Sequence, residues 1–245
     1  MTRLVLLSGW GIDARIWQPL APYWPDGIRV HTPDWPGYGE RIHDLLPKTL
    51  SGLADEMRND LASDAVWVGW SLGGLLAGAL LSHLPPPRAL VLVGIGARFC
   101  SEDGVRPAEL ATFRRAFDRD PRATWQHFLR WQLQGETAPG MAHRRLLDLL
   151  GGHPGASSQT LALGLDQLAS LDLGERLAMP PCPIWRLAGE RDKLLGKTAR
   201  QAADRILTDC GHCPMLSRPE ALASHCVELA HTGYGHRPAQ DGSVS

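Results

Sequence analysis

Long apolar runs are missing from this 245-residue chain, and nothing approaches the roughly 18 residues that a helix needs to cross a bilayer. An excess of one charge is missing too, since 25 lysines and arginines meet 26 acidic residues. A net charge of −1 offers no bulk field to nucleic acid or to a membrane surface, so neither is expected as a partner. The opening residues Arg3-Leu4-Val5-Leu6-Leu7 enter a strand directly, without the charged segment and apolar core of a secretory leader. Cysteines are not paired off: Cys100, Cys182, Cys210, Cys213 and Cys226 make five. A chain of this length buries a full core without covalent staples, and a reducing cytoplasm is the expected home. There is no internal repeat and no low-complexity segment.

What is present alternates. Strands are expected at residues 3–7, 28–31, 65–68, 89–95, 183–189 and 204–208, with helices at 12–24, 50–61 (capped by Ser51), 72–84 and 219–230. Such alternation implies a mostly parallel sheet of about six strands flanked by helices, with ligands beyond the strands' carboxyl ends. From residue 100 to 171 no strand is expected. Helical periodicity takes over at 107–117, from Asp120-Pro121 to about 133, at 141–150 and at 158–168. The fold class is therefore α/β. Residues 1–99 and 172–232 form the core, 100–171 an inserted helical cap, and 233–245 a polar, flexible tail.

The chain is organised around Val66-Trp67-Val68-Gly69-Trp70-Ser71-Leu72-Gly73-Gly74. A Gly-x-Ser-x-Gly turn between a buried strand and a helix holds its serine in a strained backbone, exposed above the sheet. Serine needs a base, and the base needs an orienting carboxylate. In a nucleophile-elbow fold these follow in the order serine, acid, histidine, on loops after late strands. Asp192, in Gly189-Glu190-Arg191-Asp192, is the preferred acid, with Glu190 and Asp209 as alternatives, and His212 is the base. The other histidines lack that placement. Oxyanion donors are expected at the main-chain N–H groups of Leu72 and of Trp10, in the Gly9-Trp10-Gly11 turn after the first strand. The Trp10 side chain would wall the acyl pocket. Cys210 and Cys213 flank His212 closely, but the separated second pair of a zinc site is missing, so they read as buried thiols. No metal and no cofactor is expected.

These residues resemble a known family. Gly69-Trp-Ser-Leu-Gly-Gly74 after a Val-Trp-Val strand, Gly9-Trp10-Gly11, Asp34-Trp-Pro-Gly-Tyr-Gly39 and the segment Phe128-Leu-Arg-Trp-Gln132 look like the α/β-hydrolases of biotin synthesis, the pimeloyl-acyl carrier protein methyl ester esterases. The resemblance spans nearly the whole chain. It implies hydrolysis of a methyl ester at the far end of a pimeloyl chain still attached to its carrier. Ser71, Asp192 and His212 would be the triad, and Trp10, Leu72, Phe128, Leu129, Arg130, Trp131 and Gln132 the substrate contacts. Three departures stand out: Ser8 replaces the family's usual histidine before Gly-Trp-Gly, the family's first hairpin is expected to be missing, which leaves about six strands, and the segment between Asp192 and His212 is short.

The cap region carries Arg106, Arg114, Arg115, Arg119, Arg122, Arg130, Arg144 and Arg145. Such a basic surface suits an acidic carrier protein as partner, and solvated helix faces with acidic neighbours are the plain alternative. The function expected is a serine carboxylesterase acting on a short or medium acyl ester. A thioesterase, lactonase or C–C hydrolase on the same triad, a low-turnover ligand-binding protein and a hydroxynitrile lyase are the competing readings.

Overall fold

The computed structural model describes residues 2–233. Six strands form one sheet in the order β2-β1-β3-β4-β5-β6, with every neighbouring pair parallel. They are β1 (Thr2–Leu7), β2 (Ile28–His31), β3 (Val66–Trp70), β4 (Ala89–Val93), β5 (Ile184–Gly189) and β6 (Arg205–Leu207). Every residue of β3 and β4 is buried, as the near-continuous apolar runs of central strands covered on both faces require. The edge strand β2 instead alternates partly buried and exposed positions. Leu7 pairs with Gly69, Trp70 with Val93, and Val93 with Leu187. The carboxyl ends of β1, β3, β4 and β5 therefore finish side by side, and the loops after them share one crest.

The strands lie within two residues of the sequence expectation, but several helices differ in kind or extent. Residues 12–24 give a 3₁₀ helix, Ala14–Tyr23, because Pro19 and Pro22 remove donors that an α-helix would use. Its buried face is Ile16, Trp17 and Leu20, as expected. The first α-helix, α1 (Leu50–Met57), starts one residue before Ser51, so Thr49 is its cap and accepts the Gly52 N–H at 3.1 Å. It ends at Met57 rather than residue 61, where the N–H groups of Asp60 and Leu61 both turn back to the Met57 carbonyl. Next, α2 (Leu72–Leu80) stops short of Pro85. Its exit is a tight turn in which Leu81, Ser82 and His83 donate three residues back.

Between β4 and β5 the chain forms α3 (Pro107–Arg119), α4 (Pro121–Trp131), α5 (Pro139–Leu150), α6 (Ser158–Ser170) and α7 (Gly174–Ala178). Asp120 caps α4 by accepting the Ala123 N–H at 2.9 Å, with Pro121 at the first position. In this insertion α3 packs on α4 and α6, and α6 lies on α2. The chain closes with α8 (Lys197–Gln201), α9 (Pro214–Ser217) and α10 (Pro219–Gly233). Because α10 runs to Gly233, that residue is helical and does not belong to the expected tail. The rest of that tail, residues 234–245, lies outside the described residues. Among the described residues no helix is long and apolar enough to cross a membrane.

Candidate active site

Ser71 joins β3 to α2 with φ 54° and ψ −124°, and Asp209 is the only other described non-glycine residue at positive φ. Such a backbone costs on the order of 1–3 kcal/mol and persists only where its surroundings over-determine it. The neighbouring glycines do that. A Cβ on Gly69 would lie 2.5 Å from Gly74 Cα, and one on Gly73 would lie 2.5 Å from the carbonyl oxygens of both Leu7 and Ser8. Side chains at either place would drive the strand, the helix and the turn after β1 apart. Leu72 is the first residue of α2, so its N–H has no acceptor within the helix and adds to the positive N-terminus beside Ser71.

Asp192 and His212 meet with Nδ1 and Oδ2 2.8 Å apart, at 0% and 1% exposure. The acid sits in the turn after β5, where its N–H donates to the Gly189 carbonyl. Its other oxygen accepts the N–H groups of Leu194 and Leu195, at 2.9 and 3.1 Å, so the buried carboxylate is fully hydrogen-bonded. Glu190 and Asp209 do not reach the imidazole. Glu190 accepts the Asp209 N–H, and Asp209 pairs with Arg191 at 2.6 Å and Arg218 at 2.9 Å near the surface.

The remaining nitrogen of His212, Nε2, is buried with no hydrogen-bond partner among the described residues. Trp70, adjacent to Ser71, donates its indole N–H to the His212 carbonyl at 2.8 Å and places its ring 5.5 Å from the imidazole. The Ser71 N–H donates to Val93 O at 2.9 Å. The next residue, Gly94, underlies the pair: a Cβ there would be 3.1 Å from His212 Nδ1 and 3.2 Å from Asp192 Oδ2. Serine, acid and imidazole are gathered at the end of β4. Nε2 makes no hydrogen bond to Ser71, and such bonds commonly tighten only when substrate binds.

The turn after β1 closes over the same place. A Cβ on Gly9 would lie 3.1 Å from Ser71 Cβ. The loop after β2 braces the turn, since Trp35 donates to Ser8 O at 3.0 Å. Asp34 ties that loop down by accepting the N–H groups of Ala14 at 2.7 Å and Glu40 at 2.9 Å. Burial pushes the Asp34 carboxyl above its ordinary pKa, partly offset by those two bonds. The Trp10 indole donates to Leu161 O in α6 and meets Phe113, Phe117 and Phe128 edge-on, with Phe128 nearest at 4.9 Å. A Cβ on Gly164 would lie 2.7 Å from Trp10 and 3.4 Å from Leu72, so α6 is pressed onto both residues.

The segment Phe128 to Gln132 divides. Phe128 joins Trp10, Leu129 is fully buried, Trp131 is half-buried against Phe113 and Phe128, and Arg130 faces solvent. Gln132 is fully buried with neither polar side-chain atom partnered among the described residues. Burial pushes the Cys210 thiol up to about 12 and the Cys213 thiol well above its usual value, with Glu136 and Asp192 adding to both. Both are buried free thiols. The basic residues of the insertion divide as well. Arg106 pairs with Glu109 at 3.2 Å, Arg114 with Asp166, Arg115 donates to Thr112, and Arg145 donates to Leu216 O at 2.7 Å. Arg119, Arg122, Arg130 and Arg144 are exposed.

Two residues at the site are assigned no role in the sequence analysis. Trp70 is the variable position of the elbow motif. Glu136 lies in a polar turn of the insertion, and its side chain accepts the Cys213 N–H. Only the folded chain brings either one to His212.

Comparison with known proteins fits this arrangement. Residues 4–225 match the alpha/beta hydrolase family. The pimeloyl-[acyl-carrier protein] methyl ester esterase of Vibrio vulnificus is 30% identical over 239 residues, covering 93% of either chain. That of Photobacterium profundum is 34% identical over 230 residues, covering 89% of this chain and 90% of its own. Among solved structures, an esterase from Exiguobacterium antarcticum shares the fold with a TM-score of 0.76 at 18% identity, over 94% of this chain and 92% of that one. A thermophilic esterase from Thermogutta terrifontis gives 0.75 at 20%, over 95% and 90%. The chain belongs to the alpha/beta hydrolase family, among its carboxylic ester hydrolases.

Proposed function

We propose that the chain is a serine carboxylesterase whose substrate is the methyl ester of a pimeloyl chain carried on acyl carrier protein. The observation that carries the catalytic part is the buried Asp192–His212 pair, its Nε2 open, packed on Gly94 beside a serine at positive φ. The substrate rests on the relatives at 30% and 34% identity, whose names specify that ester.

With Asp192 accepting the Nδ1–H, Nε2 is the basic nitrogen and takes the Ser71 proton as Oγ attacks the ester carbonyl. The tetrahedral oxyanion is received by the N–H groups of Leu72 and Trp10, main-chain donors that need no reorganisation. The imidazolium then protonates the leaving methoxide. Methanol departs, and the acyl group stays on Ser71. Water, deprotonated by the same Nε2, attacks the acyl-enzyme, and collapse of the second tetrahedral species frees the carboxylic acid and restores the serine hydroxyl.

In this reading residues 100–171 act as a cap over a core of 1–99 and 172–232. The acyl chain lies along Trp10, Leu72, Phe128, Leu129, Trp131 and Gln132, with Arg130 at the mouth. The exposed Arg119, Arg122 and Arg144 receive the acidic carrier. No metal or cofactor takes part, and a carrier-bound substrate places the enzyme in the cytoplasm. The test is turnover of p-nitrophenyl esters of graded acyl length and of the carrier-bound methyl ester against its thioester analogue, with Ser71→Ala as control. Methyl ester hydrolysis abolished by Ser71→Ala supports the reading. Preference for the thioester, or activity surviving in Ser71→Ala, overturns it.

A further inference from the structure

We propose that Glu136, delivered by the helical insertion, is a positioning residue that seats the main chain behind His212 for the reaction. The inference rests on the Ser71–His212 reading above. Glu136 is 5% exposed, and its Oε1 accepts the N–H of Cys213, the residue after His212, at 2.8 Å. The segment around it touches both loops that supply the acid and the base. Thr137 donates its hydroxyl to Asp209 O at 2.6 Å, ahead of the base. Gly135, at φ 97°, lies so close to the acid loop that a Cβ would be 2.0 Å from Arg191 O. A Cβ on Gly211, just before His212, would lie 3.0 Å from both Gln134 O and Glu136 Oε1.

His212 is thus held from three sides. Asp192 holds the ring, the Trp70 indole holds the carbonyl, and Glu136 holds the next amide. The first two holds come from the sheet side, and the third comes from the insertion. An acceptor here also satisfies the buried Cys213 amide, so stability and positioning are separated only by the kinetic split measured below. Glu136 Oε2 is buried without a partner among the described residues, a cost that an apolar side chain would avoid. What the carboxylate adds is an acceptor at the end of a side chain long enough to reach the Cys213 amide. Glutamine preserves that reach and that acceptor, whereas aspartate keeps the charge and falls one methylene short.

The test measures kcat and KM on p-nitrophenyl butyrate for wild type, Glu136→Gln, Glu136→Asp and Glu136→Ala, with Ser71→Ala as control. Because a misplacement of about 1 Å can cost up to about 100-fold, Glu136→Asp and Glu136→Ala should lose about tenfold in kcat with KM within about twofold. Glu136→Gln should stay within about threefold of wild type. If Glu136→Ala yields no folded protein, the contrast between Gln and Asp decides. Unchanged kcat in Glu136→Asp, or Glu136→Gln falling as far as Glu136→Asp, overturns the positioning role while leaving the esterase reading intact. A wild type without activity that depends on Ser71 overturns both.

Discussion

The sheet side and the insertion side of the site are held by different means. On the sheet side the main chain sets most positions, with the Asp192 and Trp70 side chains fixing His212. Ser71 hangs from Val93 O, Gly73 abuts the carbonyls of Leu7 and Ser8, and Gly94 lies under the acid–base pair. On the insertion side, side chains do the holding, through the rings around Trp10, the Glu136 carboxylate and the Arg145 guanidinium on Leu216 O. Close main-chain approach tolerates almost no change, while side-chain contacts can be retuned one at a time. In the proposed function the reacting groups sit on the rigid half, and substrate choice on the adjustable half.

The largest expected effect comes from the sheet side. His212→Ala should lower kcat by about 10⁴-fold or more, with folding intact by circular dichroism, since removing one member of a cooperating triad removes most of its effect. A loss of only a few-fold would break the distinction between the halves. Next is Gly73→Ala, whose new Cβ would stand 2.5 Å from two carbonyl oxygens. It should destabilise the fold by about 3 kcal/mol or more. Gly140→Ala, in α5 with nothing within 4 Å of the new Cβ, should melt at or slightly above the wild-type temperature. Equal melting temperatures for the two variants would contradict the close-approach argument.

On the insertion side, Arg122→Glu with Arg144→Glu should slow turnover of the carrier-bound ester about tenfold at low salt, sparing a small soluble ester. Equal loss on both substrates would remove the docking surface from the account. The smallest effect concerns Asp34. Burial holds its folded pKa above the ordinary 3.8, so the stability linked to its proton is present below that value and is lost as pH rises through the folded one. Wild type should therefore lose melting temperature relative to Asp34→Asn as pH rises from about 3.5 to 6, as paired thermal melts would show.

The sheet side was also the half that could be read from the amino acids. Buried strands announce themselves as runs such as Ala-Leu-Val-Leu-Val, and the elbow glycines are required by close approach, so their spacing survives in the chain. His212 and Asp192 were legible from their placement after late strands. The choice of Asp192 over Glu190 and Asp209 needed the turn that points one carboxylate inward and leaves the others among surface arginines. Local competition hid other features. Pro19 and Pro22 turned an amphipathic stretch into a 3₁₀ helix, and with the helix beginning at Leu50 the cap is Thr49, not Ser51. Glu136 was not legible, because its role exists only where a turn of the insertion meets a loop far along the chain.

The most direct measurement is covalent trapping. Wild-type protein is incubated with a fluorophosphonate ester, and the modified peptide is located by mass spectrometry, with His212→Ala treated in parallel. A single adduct on Ser71, formed far more slowly in His212→Ala, is the predicted result. An adduct on another residue, or equal labelling rates in the two proteins, would contradict a serine activated by that imidazole.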